Sequence, residues 1–282
     1  MAWPVSAVRL RGAVAGLACL VLAAVVFAGS ARATERDRLL AFLEVTGFGV
    51  AIDSIALSAA DAPAMIDMVP DDFGPAWPRI TAEVFDSALM RGMALDMLDE
   101  TLDDEMLGHA ATFYASDLGQ RLVEVENASH TQPADAAARK EAEARAAALS
   151  PARRAVLERM NAAIDGSGMA ERAFREIQVR FLLAAAGAGL TDGDFDADLL
   201  RRLLAQGAET ARAEMKEAAL VSAAQTYRSL STDDLRAYAD ALEHPVMGRV
   251  YELMNAVQFE IMANRFEVLA GRLGEVPPAR DL

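Results

Sequence analysis

Glu105 and His109 stand four residues apart in "DEMLGHA", which puts a carboxylate and an imidazole on one face of a helix, as two metal ligands would be presented. A zinc centre needs three or four protein ligands. A metal-assisted hydrolase would therefore require His109 to meet His130 or His244, the other two histidines of the chain. The plainer reading is a solvent-facing Glu–His pair. "DGDFDAD" (192–198) sets Asp192, Asp194, Asp196 and Asp198 at alternate positions, as in a calcium loop. Counted from Asp192, however, Ala197 stands where such a loop requires glycine and Leu203 where a bidentate glutamate belongs. An acidic helix start before "LLRRLLAQ" accounts for it better. "DETLDDE" (99–105) stacks acids beside a helix start, where carboxylates serve capping and solubility unless their environments drive their pKa values apart. Nucleophilic catalysis has no foothold. There is no G-x-S-x-G, no phosphate-cradling glycine loop, and the single cysteine, Cys19, lies in the apolar N-terminal run. These residues nominate no catalytic, cofactor-binding or metal site, and the expectation is a protein that is not an enzyme.

Helical periodicity runs through nearly the whole chain. "ERDRLLAFLEVTGFGVAIDSIALSA" (35–59) and "WPRITAEVFDSALMRGMALDML" (77–98) space their apolar residues at three and four, and each reads as one helix. Pro63, Pro70, Pro75 and Pro78 make the intervening segment irregular. "DAAARKEAEARAAAL" (135–149) forms a helix by propensity and has little to bury. Ser150 and Pro151 restart the chain as N-cap and first helical residue. A further helix is expected from about Leu199 to Arg228. Met65, Met68, Met90, Met93, Met97 and Met106 are either core filler or an adaptable surface for apolar partners, and helical spacing favours core.

The N-terminus carries Arg9 and Arg11, the apolar run Ala13–Ala28, and Ala31 and Ala33 at the small-residue positions of a cleavage site. That order is a secretory signal, and the run falls short of the about 20 apolar residues a span requires. The expected protein is periplasmic or secreted after cleavage near Ala33, with no membrane span in what remains. The formal net charge of −15 argues against nucleic acid as a partner.

Two stretches share an interrupted pattern, "LDDEMLGHAATFYASDLGQR" (102–121) and "LSTDDLRAYADALEHPVMGR" (230–249). In each, acids open an apolar helix, a bend follows, and a glycine and an arginine stand just inside the next helix. Ser116 is the expected cap at the first bend. His244 is held extended by Pro245 at the second, and Pro245 begins the next helix. Gly119 and Gly248 each cost about 1 kcal/mol relative to alanine inside a helix, which a close approach of backbones at the bend would explain. Ser116, Gly119, His244, Pro245 and Gly248 are thus the residues of a packing motif. The chain divides into a signal (1–33), a first helical repeat (34–132), an alanine- and charge-rich connector (133–150) and a second repeat (151–282).

The paired stretches resemble the secreted bacterial family known as domain of unknown function 2059. The first stretch keeps Phe113–Tyr114 and Ser116 and lacks the proline. The second keeps Pro245 and lacks the aromatic pair and the serine. The resemblance implies an exported all-α protein, a helical bundle of two related halves each with a helix-bend-helix motif, and brings no activity, ligand or catalytic residue. The favoured function is a non-enzymatic binding or protein-interaction role in the envelope. The alternative is a carrier or chaperone for small apolar ligands, which an apolar cavity between the halves would favour.

Overall fold

A computed structural model describes residues 35–131, 136–191 and 196–276, and among them every regular element is helical. The expected signal (1–33) and the Asp192–Asp194 part of the calcium-like stretch lie outside the described residues. Helix α1 covers 35–46 and α2 covers Phe48–Asp53. Between them Gly47 adopts φ +76°, a left-handed conformation that ends the expected single helix. The chain then tightens into 3-10 turns over Ser54–Ile66 and Pro70–Phe73. The apolar run Phe48–Ile66 is long enough to cross a membrane, but Ile52, Ile55, Ala59 and Ala62 are buried in the core.

Helix α3 (Ala76–Val84) and α4 (Ser87–Thr101) replace the single helix expected over 77–98. The break comes at Phe85, after which Asp86 accepts from the Leu89 amide and caps α4. Next come α5 (Asp104–Tyr114), α6 (Asp117–His130), α7 (Ala136–Ala147), α8 (Pro151–Asp165) and α9 (Met169–Gly187). The helix expected from Leu199 to Arg228 is also two, α10 (Ala197–Ala205) and α11 (Ala208–Thr226), parted at Gly207. The series ends with α12 (Thr232–Leu242) and α13 (Pro245–Gly274).

The 30 residues of α13 span about 45 Å and form the axis of the fold. Apolar residues lie all round it, from Met247 and Val250 to Leu269 and Leu273, as expected of a helix enclosed by others. It packs most extensively on α9 and also on α5, α3 and α4. Phe266 sits edge-on to both Phe85 and Phe181, tying α13 to α9 and to the α3–α4 corner. One contiguous core cluster takes side chains from Leu39 to Leu273.

Met90, Met106, Met160, Met247 and Met254 are buried in that core, and Met65, Met68, Met93 and Met97 pack against it. They form no exposed methionine face. The alanine-rich α7 has more to bury than its sequence suggests. It lies along α11 with Ala142 and Ala146 enclosed, because alanine lets two helix backbones come close.

Candidate functional site

The two bends meet. Ser116 caps α6 as expected, its Oγ accepting from the Gly119 amide at 3.1 Å and donating to the Phe113 carbonyl at 2.6 Å. A side chain on Gly119 would run into the Phe113 carbonyl at 2.3 Å and the Tyr114 Cα at 2.5 Å, so glycine is required there. His244 caps α13, Nδ1 accepting from the Val246 amide at 3.3 Å, and Pro245 is the first residue of that helix. Gly248 departs from expectation. Nothing lies within 4 Å of a Cβ built on it, so no close approach explains it. The second bend turns at a His-Pro junction and leaves that face of α13 open.

Where the bends touch, the rings of His109 and His244 stack at 4.3 Å between centroids. Burial first, and His244 second, lower the His109 pKa. Two imidazoles do come together, but Glu105 is taken by Arg249 and His130 lies elsewhere, 3.4 Å from the Ser54 hydroxyl. Among the described residues no group of three or more His, Cys, Asp or Glu side chains gathers as metal ligands would. Arg121 of α6 reaches the other way, donating to both oxygens of Asp234 at 2.8 and 3.1 Å. The arginine that follows each bend thus pairs with an acid in the first turn of the helix that opens the other stretch.

Behind these surface pairs lies a cluster of tyrosines around one carboxylate. Tyr114 (α5), Tyr238 (α12) and Tyr251 (α13) bring their hydroxyls into a triangle. Tyr114 and Tyr238 are 3.1 Å apart, Tyr238 and Tyr251 are 2.6 Å apart, and Tyr114 and Tyr251 are in direct contact. Tyr238 donates to Glu126 Oε1 of α6 at 3.0 Å, and Tyr227, just past α11, donates to the same oxygen at 2.6 Å. Phe113 stacks on the Tyr238 ring and Phe48 closes over Tyr251. Burial pushes all four phenols above their ordinary range. Burial also raises the Glu126 carboxyl to about 7, against the lowering pull of its two tyrosine bonds.

The proton count in this cluster is short by one. With Glu126 ionised, the Tyr238 proton is committed to the carboxylate, and Tyr114 and Tyr251 hold two protons for three hydroxyl contacts. A proton on Glu126 frees the Tyr238 proton to complete the triangle. Sequence reading missed this cluster. Glu126 sits in "VEVEN" like any surface acid, and its partners lie 101 and 112 residues away.

Beside the cluster, α6, α7, the start of α8 and α11 enclose a groove of about 900 Å³. Val125, Ala128, Ala142, Ala146, Ala218 and Val221 form its apolar walls. Arg139, Arg154 and Arg228 balance Glu143, Glu214 and Glu217 along its lining, so it carries no net formal charge in a chain of −15. Glu126 lies between the lining residues Val125 and Ala128, and Tyr227 between Thr226 and Arg228.

Residues 89–148 match a family described as "Uncharacterized protein conserved in bacteria (DUF2059)". The matched stretch carries the first bend, Tyr114, Glu126 and both the α6 and α7 walls of the groove, and stops before the second bend. No curated protein and no solved structure matches the chain.

Proposed function

We propose that this is an exported, non-enzymatic binding protein that carries a small, uncharged apolar molecule in the groove between α6, α7 and α11. The groove carries the reading. Its volume of about 900 Å³ lies within the range of sites that take small molecules and is too small for a folded partner. Its apolar walls are alanine and valine, whose short side chains leave room between helices. Its balanced lining favours a neutral occupant over the cation that an acidic chain would otherwise attract. The lining draws on α6, α7, α8 and α11, so the apolar space lies between helices. This favours the carrier over a general protein-interaction role.

Export rests on the N-terminal pattern of charge, apolar run and small residues, which suits a carrier of water-insoluble cargo in the cell envelope. The test is titration of the full chain with the neutral apolar dye N-phenylnaphthylamine. Ser222 is exposed and lines the groove. Ser222→Trp should fill the space and abolish dye binding with the fold retained. Equal binding by both proteins would refute the groove as the ligand site.

A further inference from the structure

The Glu126 cluster and the groove share two helices. Glu126 is on α6, flanked by groove-lining Val125 and Ala128, and its shortest bond comes from Tyr227, which follows Thr226 at the end of α11. The Glu126–Tyr227 bond therefore ties α6 directly to the end of α11, another wall of the groove. We propose that Glu126 is a proton-operated latch on that groove: ionised, it holds α6 and α11 together around the ligand, and on gaining a proton it loosens that tie and weakens ligand binding. This rests on the groove being the ligand site.

The chemistry gives the direction. An O–H bond to a carboxylate is shorter and roughly twice as strong as one to a neutral carboxyl group. The 2.6 Å bond from Tyr227 is of the strong kind only while Glu126 is ionised. When Glu126 binds a proton it donates to the Tyr238 oxygen, and Tyr238 turns its own proton to the triangle with Tyr114 and Tyr251. The inner ring gains a bond while the tie to Tyr227 weakens. One proton thus shifts hydrogen bonding from the groove to the core. No bond to carbon is made or broken.

The groups facing Glu126 allow this. Tyr227, Tyr238, Tyr251 and Tyr114 surround it from the end of α11, α12, α13 and α5, and burial keeps all four protonated. The one ionisable residue of α2, which also packs on α6, is Asp53, and it is held by Arg91. On α6 itself, His130 is one turn on and directed to Ser54. No cationic side chain bonds to the carboxylate among the described residues, and burial raises it to about 7, within reach of ordinary pH changes.

The test uses the full chain and N-phenylnaphthylamine, titrated at about pH 8 and about pH 5.5. The wild type should bind about fivefold or more weakly in acid. Glu126→Gln should show the weak affinity at both pH values. Should Glu126→Gln fail to fold, Tyr227→Phe, which removes the tie and keeps the ring, should give the same flat profile. Wild-type affinity that ignores pH, or a pH dependence that survives in the variant, overturns the latch. Dye that fails to bind, or binds equally to Ser222→Trp, refutes the carrier reading instead. The latch is then judged by amide hydrogen exchange. Faster exchange of α6 and α11 in acid, beyond the intrinsic change and absent from Glu126→Gln, sustains it. Equal exchange overturns it.

Discussion

Arg121 and Asp234 form a two-pronged ion pair between the helix after the first bend and the helix before the second, at 2.8 and 3.1 Å. Arg249 and Glu105 make the reciprocal pair. Each pair joins 102–121 to 230–249, so the two interrupted stretches pack on each other and not only on their own neighbours. Both pairs face solvent, where such contacts contribute little to stability. They fix orientation, and the buried tyrosines beneath them supply the adhesion.

The two glycines that look equivalent in sequence are not equivalent in space. Gly119→Ala would press a methyl group into backbone atoms of Phe113 and Tyr114, with no flexible side chain to yield, and should cost about 3 kcal/mol or more. Gly248→Ala enters open space inside α13 and should stabilise by about 0.5–1 kcal/mol through helix propensity. Denaturant unfolding of the two variants separates the cases.

Removing a hydroxyl from the tyrosine cluster should cost according to its role in the proton count. Tyr238→Phe takes a donor from Glu126 and should destabilise by about 1–3 kcal/mol. Tyr114→Phe removes a hydroxyl from the triangle, where protons are already too few, and should cost clearly less. Equal costs at about pH 8.5, where Glu126 is ionised, would contradict the count.

The pH dependence of stability should carry the Glu126 signature. Its folded pKa, about 7, lies above the ordinary 4.5, so the folded chain binds this proton more readily than the unfolded chain. The contribution is therefore full below about pH 4.5 and lost as pH rises through about 7. Glu126→Gln should leave stability near pH 4.5 little changed. Near pH 8 it should raise it by about 2 kcal/mol or more. Thermal melts across that range give the comparison.

His109 works with the opposite sign. Burial and the stacked His244 lower its pKa, so the neutral ring is favoured in the folded chain. That contribution is full above about pH 6.5 and is lost as pH falls through the lowered folded value. His109→Gln should flatten the decline in melting temperature on the acid side. An unchanged acid limb would show that the stack does not titrate as described.

What could be read from the sequence was local. Ser116 and Ser150 cap their helices, and Pro151 and Pro245 open theirs, because each depends on residues within three positions. The breaks at Gly47, Phe85 and Gly207 escaped a reading by periodicity, since apolar spacing continues across them while the backbone does not. The groove escaped because alanine on a charged helix looks like a surface residue. Only the approach of α11 shows that Ala142 and Ala146 form a wall. Glu126 escaped for a related reason: a carboxylate becomes distinctive only when tyrosines distant in sequence close over it.

Native mass spectrometry of the full chain, exported from a bacterial host and purified without detergent, tests the central claim most directly. The account predicts a mass shortened by the residues before about Thr34, plus a small neutral adduct that is lost on denaturation and absent from Ser222→Trp. A bare polypeptide mass under gentle conditions, or an adduct that Ser222→Trp retains, would contradict it.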